Sequence, residues 1–254
     1  MIPERLAPLI EEGSELAERF KAAGRQLYLV GGTVRDAIAD PRARPGDVDL
    51  DFTTDAPPEQ IEDLVRGWAD AVWLQGKAFG TVGFLHHGRR NEITTHRAEA
   101  YRPDSRKPNV RFADDIEIDL SRRDFTVNAM ALRLPDVELI DPFGGLQDLA
   151  ERRLRTPLSP DVSFADDPLR MMRAARFIAA LDLEPQADLV EAVHRLHDRL
   201  QIVSPERIRD ELDKLLTVER PTDGLWFLCD TGLASEFLPE LPALALAQDP
   251  VQQS

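Results

Sequence analysis

Apolar residues recur at Leu6, Leu9, Ile10, Leu16 and Phe20, the spacing of one helical face, so Glu4 to Ala23 is predicted to form an amphipathic helix stopped at Gly24. Leu27 to Val30 then reads as a short buried strand. Gly31-Gly32 turns it into a helix over Thr33 to Ala39, which Pro41 and Pro45 break. The next strand alternates: Val48 and Leu50 point to the core, and Asp47, Asp49 and Asp51 share the other face, because side chains two apart in an extended chain point the same way. Pro57-Pro58 opens a helix from Glu59 to Gly67. Strands follow at Ala71 to Leu74, Thr81 to His86 and Asn91 to Thr95, with Gly88 turning between the last two. In the last of them Ile93 faces inward and Glu92 outward, which puts another carboxylate on a polar sheet face.

His96 to Asp119 is polar, carries Pro103 and Pro108, and offers few core residues beyond Phe112 and Ile116, so it reads as a long mobile loop of the kind that is either functional or disordered. A helix is predicted from about Leu120 into Asn128, then a hairpin of Ala129 to Leu134 and Glu138 to Ile140 turned at Pro135-Asp136. Asp141 to Gly145 closes a first domain, 1–145. From Leu146 helical periodicity dominates, through Leu169 to Leu181, Ala187 to Leu200, Pro205 to Leu216 and Thr222 to Thr231, which defines a second, helical domain, 146–254. The last stretch, Leu241 to Ser254, reads as a fraying terminus or as a cut from something longer.

The 254 residues, 43% of them hydrophobic, suffice for a real core in one large or two smaller domains. A formal charge of −15 argues against a chain that coats nucleic acid nonspecifically and leaves room for a local basic groove. Lysine occurs only at Lys21, Lys77, Lys107 and Lys214, so the positive charge is mostly arginine, the better fork for phosphates and base edges, though a compositional bias of the source genome would look the same. The single cysteine, Cys229, excludes an internal disulfide framework and a cysteine-based zinc site. No apolar run reaches membrane-spanning length and the first residues lack a basic, apolar signal, which makes a cytoplasmic location the default.

Four groups of residues carry candidate chemistry. Asp47 and Asp49 have the spacing for carboxylates that bridge two cations about 3.5 to 4 Å apart, and Glu92 is a third carboxylate and a possible base for an attacking hydroxyl; a solvated strand face would read the same. Gly31-Gly32 ahead of a helix lets backbone amides approach phosphates, with Arg35 one turn inside, and a plain left-handed turn is the alternative. Arg122-Arg123-Asp124 with Phe125 and Asn128 forms either a cationic patch or a surface helix anchored by its Phe. Asp166 and Asp167 precede Arg170, Arg173 and Arg176, and from Asp167 the steps are of three, so acid and guanidinium would lie along one helix side. Such a row either reads a base edge and meets triphosphate or is a salt-bridged face.

Taken in order, LVGGTVRD, GDVDLDFTT, NEITTHR, YRPDSRKPNVRF, RRDFTVNAMA, LIDPFGG and FADDPLRMMRAARF resemble the motifs of the tRNA nucleotidyltransferase and poly(A) polymerase family, in particular the second class of bacterial CCA-adding enzyme, from Leu29 to about Phe177, with weaker similarity to about Leu241. The resemblance implies an α/β head with a mixed sheet and helices, followed by an all-helical neck and partial body. It implies magnesium at Asp47 and Asp49, nucleotide phosphates at Gly32 and Arg35, and nucleotide binding at Arg123, Asp167, Arg170, Arg173 and Arg176. Asp167 and Arg170 resemble the pair that reads CTP and ATP through a protein template. Asp166 departs from the family, which usually has Glu there. The implied reaction is addition of C and A to the 3′ end of tRNA from CTP and ATP with release of pyrophosphate. Poly(A) polymerases and enzymes adding only CC or only A share this head, and a noncatalytic nucleotide- or RNA-binding relic is the reading from another class. The intact segment from His96 to Asp119 favours full CCA addition. Family members continue further through body and tail helices that grip tRNA.

Overall fold

The computed structural model describes residues 7–39, 49–97 and 115–244 and divides into two compact units, Met1–Ala150 and Glu151–Ser254. In the first, helix α1 (Ala7–Ala22) leads to β1 (Leu27–Val30), α2 (Gly32–Ala39), β2 (Leu50–Thr54), α3 (Pro58–Val65), β3 (Ala71–Trp73), β4 (Thr81–His86), β5 (Arg89–Thr95), α4 (Ile116–Ser121), β6 (Ala131–Leu134), β7 (Glu138–Ile140) and α5 (Gly145–Ala150). The seven strands form one sheet in the order β3-β4-β5-β2-β1-β6-β7. β2 and β5 run parallel and the remaining neighbours antiparallel, so the sheet is mixed.

One face of this sheet is the core. Leu27, Leu29, Leu50, Phe52, Val82, Phe84, Ile93, Leu132 and Leu134 bury against Leu16 and Phe20 of α1, Val34 and Ala37 of α2, and Ile61 and Val65 of α3. Full burial of such a side chain contributes about 1.5–3 kcal/mol, and a one-residue slip would turn it out of the core. Leu50 and Phe52 therefore fix the register that turns Asp51 to the opposite face. That face is covered beside β1 and β6, where Tyr28, Val30 and Ala131 meet Leu120 and Ala129. Along β2 and β5 it carries acids.

A single helix from Leu120 into Asn128 does not form. α4 ends at Ser121, Phe125 is extended (φ −134°, ψ 154°), and a 3-10 turn follows over Thr126–Asn128. The cause is Asp124, whose Oδ1 accepts from the Phe125 backbone N–H at 2.8 Å and from Asn128 Nδ2 at 3.0 Å, a local alternative to helical hydrogen bonding. Phe125 is thereby free to bury completely. The loop reading of His96 to Asp119 falls mostly on residues 98–114, outside the described residues; its end is helical, with Asp115 capping α4 through the Glu117 N–H.

The second unit is helical apart from a two-stranded parallel pair, β8 (Arg153–Leu154) with β9 (Glu184–Pro185). Its helices are α6 (Pro160–Asp166), α7 (Leu169–Leu181), α8 (Ala187–Leu196), α9 (Pro205–Leu216), α10 (Thr222–Asp230) and α11 (Glu240–Leu244). The predicted extension of α8 to Leu200 is replaced by a 3-10 stretch, His197–Ile202. Gly224 lets α10 sit against the backbone of α7: an added Cβ would stand 2.4 Å from the Ala175 carbonyl oxygen. No helix among the described residues is long and apolar enough to cross a membrane.

Candidate functional site

The acidic face is built by strand pairing. Asp51 stands opposite Glu92 in the parallel pairing of β2 with β5, while their neighbours Phe52 and Ile93 point to the core. Asp49 precedes β2, and its carbonyl accepts a hydrogen bond from Thr33 Oγ1 at 3.4 Å, which ties the acids to the first turn of α2. Asp49, Asp51, Trp73, Gln75, Arg90 and Glu92 line one open cleft of about 730 Å³. The Asp51 carboxyl is pushed above the usual range by withdrawal from water and by repulsion from Glu92, which Arg123 opposes and Asp49 adds to. Asp47 lies outside the described residues. Among the described residues no group of three His, Cys, Asp or Glu side chains closes on a point where a cation would sit. The carboxylate oxygens of Asp49, Asp51 and Glu92 are of the kind that suits a hard divalent cation.

Beside the acids lies the turn from β1 into α2. Gly31 has φ +78°, a conformation that favours glycine, and an added Cβ there would stand 3.6 Å from Arg123 Nη1 and 3.8 Å from Asp51 Oδ2. Arg35 folds back over the start of its own helix, its Nη2 3.3 Å from the Cβ position of Gly32. Arg35 is buried, donates from Nη1 to Asn128 Oδ1 at 2.5 Å and pairs through Nε with Asp36 Oδ1 at 2.7 Å. It is a positioned guanidinium at a helix N-terminus rather than a free surface cation. Arg123 pairs with Asp119 at 3.2 Å, and its buried Nε has no hydrogen-bond partner among the described residues. Asp119 also accepts from the Arg97 N–H at 3.2 Å, so one carboxylate holds the residues on both sides of segment 98–114.

In the second unit the expected ladder is only partly on a helix. Asp167 is extended (φ −140°, ψ 98°) ahead of Pro168, which disfavours helical geometry in the residue before it, so only Arg170, Arg173 and Arg176 lie along α7. Asp167 caps that helix through the Leu169 N–H at 3.2 Å and pairs with Arg207 at 3.2 Å. Arg170 Nη1 donates to Ser163 Oγ at 2.8 Å. Arg176 and Arg173 both reach Glu211, at 2.8 and 3.6 Å, and Lys214 adds a third cation at 3.1 Å. Burial pushes the Glu211 carboxyl up, but the Arg176 hydrogen bond and charge, with Arg173 and Lys214, reverse this and hold it below the usual range. The ion pairs of Asp167, Arg173 and Arg176 and the Arg170–Ser163 hydrogen bond give the salt-bridged, hydrogen-bonded face that the spacing allowed.

Sequence reasoning missed Asn128 as the holder of Arg35, Asp119 as the anchor of Arg97 and Arg123, and Glu211. Only the last left a readable signal, an acid between Ile208, Leu212 and Leu215 on the apolar stripe of α9.

Residues 27–155 match the family described as "Poly A polymerase head domain", and 182–244 match "Probable RNA and SrmB- binding site of polymerase A". A CCA-adding enzyme of Limosilactobacillus reuteri is 37% identical over 91% of this chain and 55% of its own length, and one of Bacillus pumilus 41% identical over 86% and 52%. Among solved structures, the Bacillus stearothermophilus CCA-adding enzyme in complex with CTP aligns at TM-score 0.81 and 32% identity, covering 94% of this chain and 57% of that one. The Thermotoga maritima CCA-adding enzyme complexed with tRNA aligns at TM-score 0.76 and 26% identity, covering 94% and 56%. The chain thus spans a little over half the length of these relatives. Since the head-domain match takes in more than half of its residues and meets the mixed sheet and acidic cleft described above, the chain belongs to the poly(A) polymerase head-domain family.

Proposed function

We propose that this chain carries the catalytic head and nucleotide-reading neck of a template-independent tRNA nucleotidyltransferase, which adds C and A to the tRNA 3′ end from CTP and ATP. The observation that carries the reading is the pairing of Asp51 with Glu92, which gathers Asp49, Asp51 and Glu92 on one sheet face beside the first turn of α2. The primer's 3′ oxygen bonds to the α-phosphorus of the nucleotide. The bond from that phosphorus to the bridging oxygen breaks, pyrophosphate leaves, and Glu92 takes the hydroxyl proton. Gly31, Gly32 and Arg35 offer the triphosphate backbone amides, helix-terminal charge and a fixed guanidinium, and Arg123, whose Nη1 lies beside Gly31, adds a second guanidinium. Asp47 and Asp49 would hold magnesium, which when bound offsets phosphate charge and sharpens the attacking oxygen.

Asp167 and Arg170 would read the incoming base, with Arg173 and Arg176 fixed by Glu211 behind them. The aspartate at 166, where the family usually has Glu, shortens one arm of that group and keeps its charge. A tRNA substrate fits a cytoplasmic site of action. The test is transfer of labelled CMP and AMP to tRNA by the parent chain and by Asp47→Ala and Asp49→Ala; activity retained in either variant overturns the assignment. Long A tracts in the sequenced products would instead support a poly(A) polymerase. Magnesium-dependent nucleotide binding without turnover would support a noncatalytic relic.

A further inference from the structure

The acidic cleft has a second end that phosphate chemistry does not use. Trp73 on β3 pairs with Gly83 on β4, Gly83 pairs with Glu92 on β5, and Glu92 pairs with Asp51 on β2, so four strands place these residues in one cross-strand row. The glycine is the informative member. It has no positive φ, so its backbone does not require glycine, and a glycine inside a strand weakens the strand. What requires it is the indole. A Cβ on Gly83 would stand 1.9 Å from Trp73 Nε1 and 2.3 Å from Cε2, so the indole occupies the space above the β4 backbone and leans toward Glu92. Arg90, on the same face of β5 as Glu92, sets its guanidinium carbon 5.6 Å from the indole centroid. Trp73 and Arg90 both line the cleft that holds Asp49, Asp51 and Glu92, and its volume of about 730 Å³ is ample for a nucleotide.

We propose that Trp73, seated over Gly83 and flanked by Arg90, is a stacking platform for the terminal base of the RNA primer, which sets that nucleotide's 3′ hydroxyl toward Glu92. The assignment rests on the nucleotidyltransferase reading above. Trp73 and Glu92 sit on strands either side of β4, and the indole lies over Gly83, the residue paired with Glu92, so a base stacked on the ring stands beside the carboxylate row. An aromatic ring suits a primer end that changes from one base to the next during addition, because every base has a face to stack and none need be read by hydrogen bonds. Arg90 supplies a cation for the adjoining phosphate and a second plane against the base. The incoming nucleotide, in contrast, has to be discriminated, and its base is assigned to Asp167 and Arg170.

The experiment compares the parent chain with Trp73→Leu and Trp73→Phe, all checked for a native circular dichroism spectrum and melting curve. Two readouts are taken: steady-state KM for a tRNA primer, for CTP and for ATP, and quenching of tryptophan fluorescence by a short RNA minihelix ending in CC, titrated without nucleotide. The expected result is a rise of about tenfold in primer KM for Trp73→Leu, unchanged KM for CTP and ATP, and recovery of most of the loss in Trp73→Phe. The minihelix should quench the parent, and the quench should be missing in Trp73→Leu, where Trp68 and Trp226 remain as internal controls. A raised KM for CTP or ATP with primer KM unchanged would overturn the primer assignment, and so would an active parent showing no quench. If no variant transfers nucleotides but the minihelix still quenches Trp73, the polymerase reading fails and the platform stands. Should Trp73→Leu fail to fold, Arg90→Gln, exposed at the rim, is expected to raise primer KM in the same sense, and an unchanged value overturns the platform.

Discussion

Removing the Glu211 carboxylate is expected to loosen the second unit more than any other single charge deletion in it. The Glu211 side chain is 3% exposed and faces Arg176, Arg173 and Lys214, whose side chains are 18%, 32% and 58% exposed. Deleting one partner of a fully buried ion pair costs about 3–5 kcal/mol, because the other charge is left unpaired. Here both arginines keep some water and rest against Phe177, with the guanidinium carbons of Arg176 and Arg173 4.3 and 5.6 Å from its ring centroid, so the expected loss for Glu211→Ala is about 2–3 kcal/mol. For a unit of roughly a hundred residues that corresponds to a fall in Tm of about 10–20 °C. Thermal and urea unfolding read the change, with Glu211→Gln as the variant that keeps shape and loses charge. The pH dependence has a definite sign. A carboxyl held below its ordinary value of 4.5 contributes stability above that value and loses it as pH falls through the folded value, so the parent should lose more stability on acidification than Glu211→Gln. A Glu211→Ala chain that unfolds within about 0.5 kcal/mol of the parent, with the same acid sensitivity, would refute the reasoning.

Two other outcomes follow from single contacts. Gly224→Ala drives a methyl to 2.4 Å from the Ala175 carbonyl oxygen and 2.7 Å from Leu215 Cδ1; the variant should lose about 1–3 kcal/mol in urea titration, and an unchanged midpoint would show that α10 lifts freely off α7. His96 is buried with Nδ1 2.9 Å from Thr53 Oγ1, and burial pulls its pKa below 6.5 against the opposing pull of Asp119 and Asp55. The unfolded chain therefore binds a proton that the folded chain resists, so stability falls as pH drops below 6.5. Urea midpoints at about pH 7.5 and about pH 5.5 should differ less in His96→Gln than in the parent, and equal differences would count against a neutral buried imidazole.

Strands were legible where period and punctuation agreed. Thr81–His86 was read to the residue because Val82, Phe84 and His86 alternate between Gly80 and Gly88, and Leu169–Leu181 because its apolar stripe runs without a breaker. The outward turn of Glu92 followed from the same alternation. What the pattern hid was polar competition. Asp124 draws Phe125 and Asn128 into a local turn, and nothing in the apolar spacing distinguishes that from a continuing helix. Likewise the step of three from Asp167 to Arg176 looked like one helical face, yet Pro168 sets the first member outside it. Partners distant along the chain left the least trace: Asn128 meets Arg35 across 93 residues, and no local rule reports such a contact. The acidic cleft was half-legible, since its carboxylates followed from alternation while Trp73 and Gly83 became informative only once β4 stood between β3 and β5.

The strand β1 sits near the middle of its sheet and takes one neighbour, β6, from more than a hundred residues downstream, with Leu27 beside Leu134. During synthesis, then, an emerging chain holds half of its central edge open until the ribosome has released that distant hairpin. Pairing so remote in sequence forms slowly. A nascent or truncated product ending before Ala131 would expose an unsatisfied strand edge to any chain nearby, a template for aggregation that the completed sheet covers.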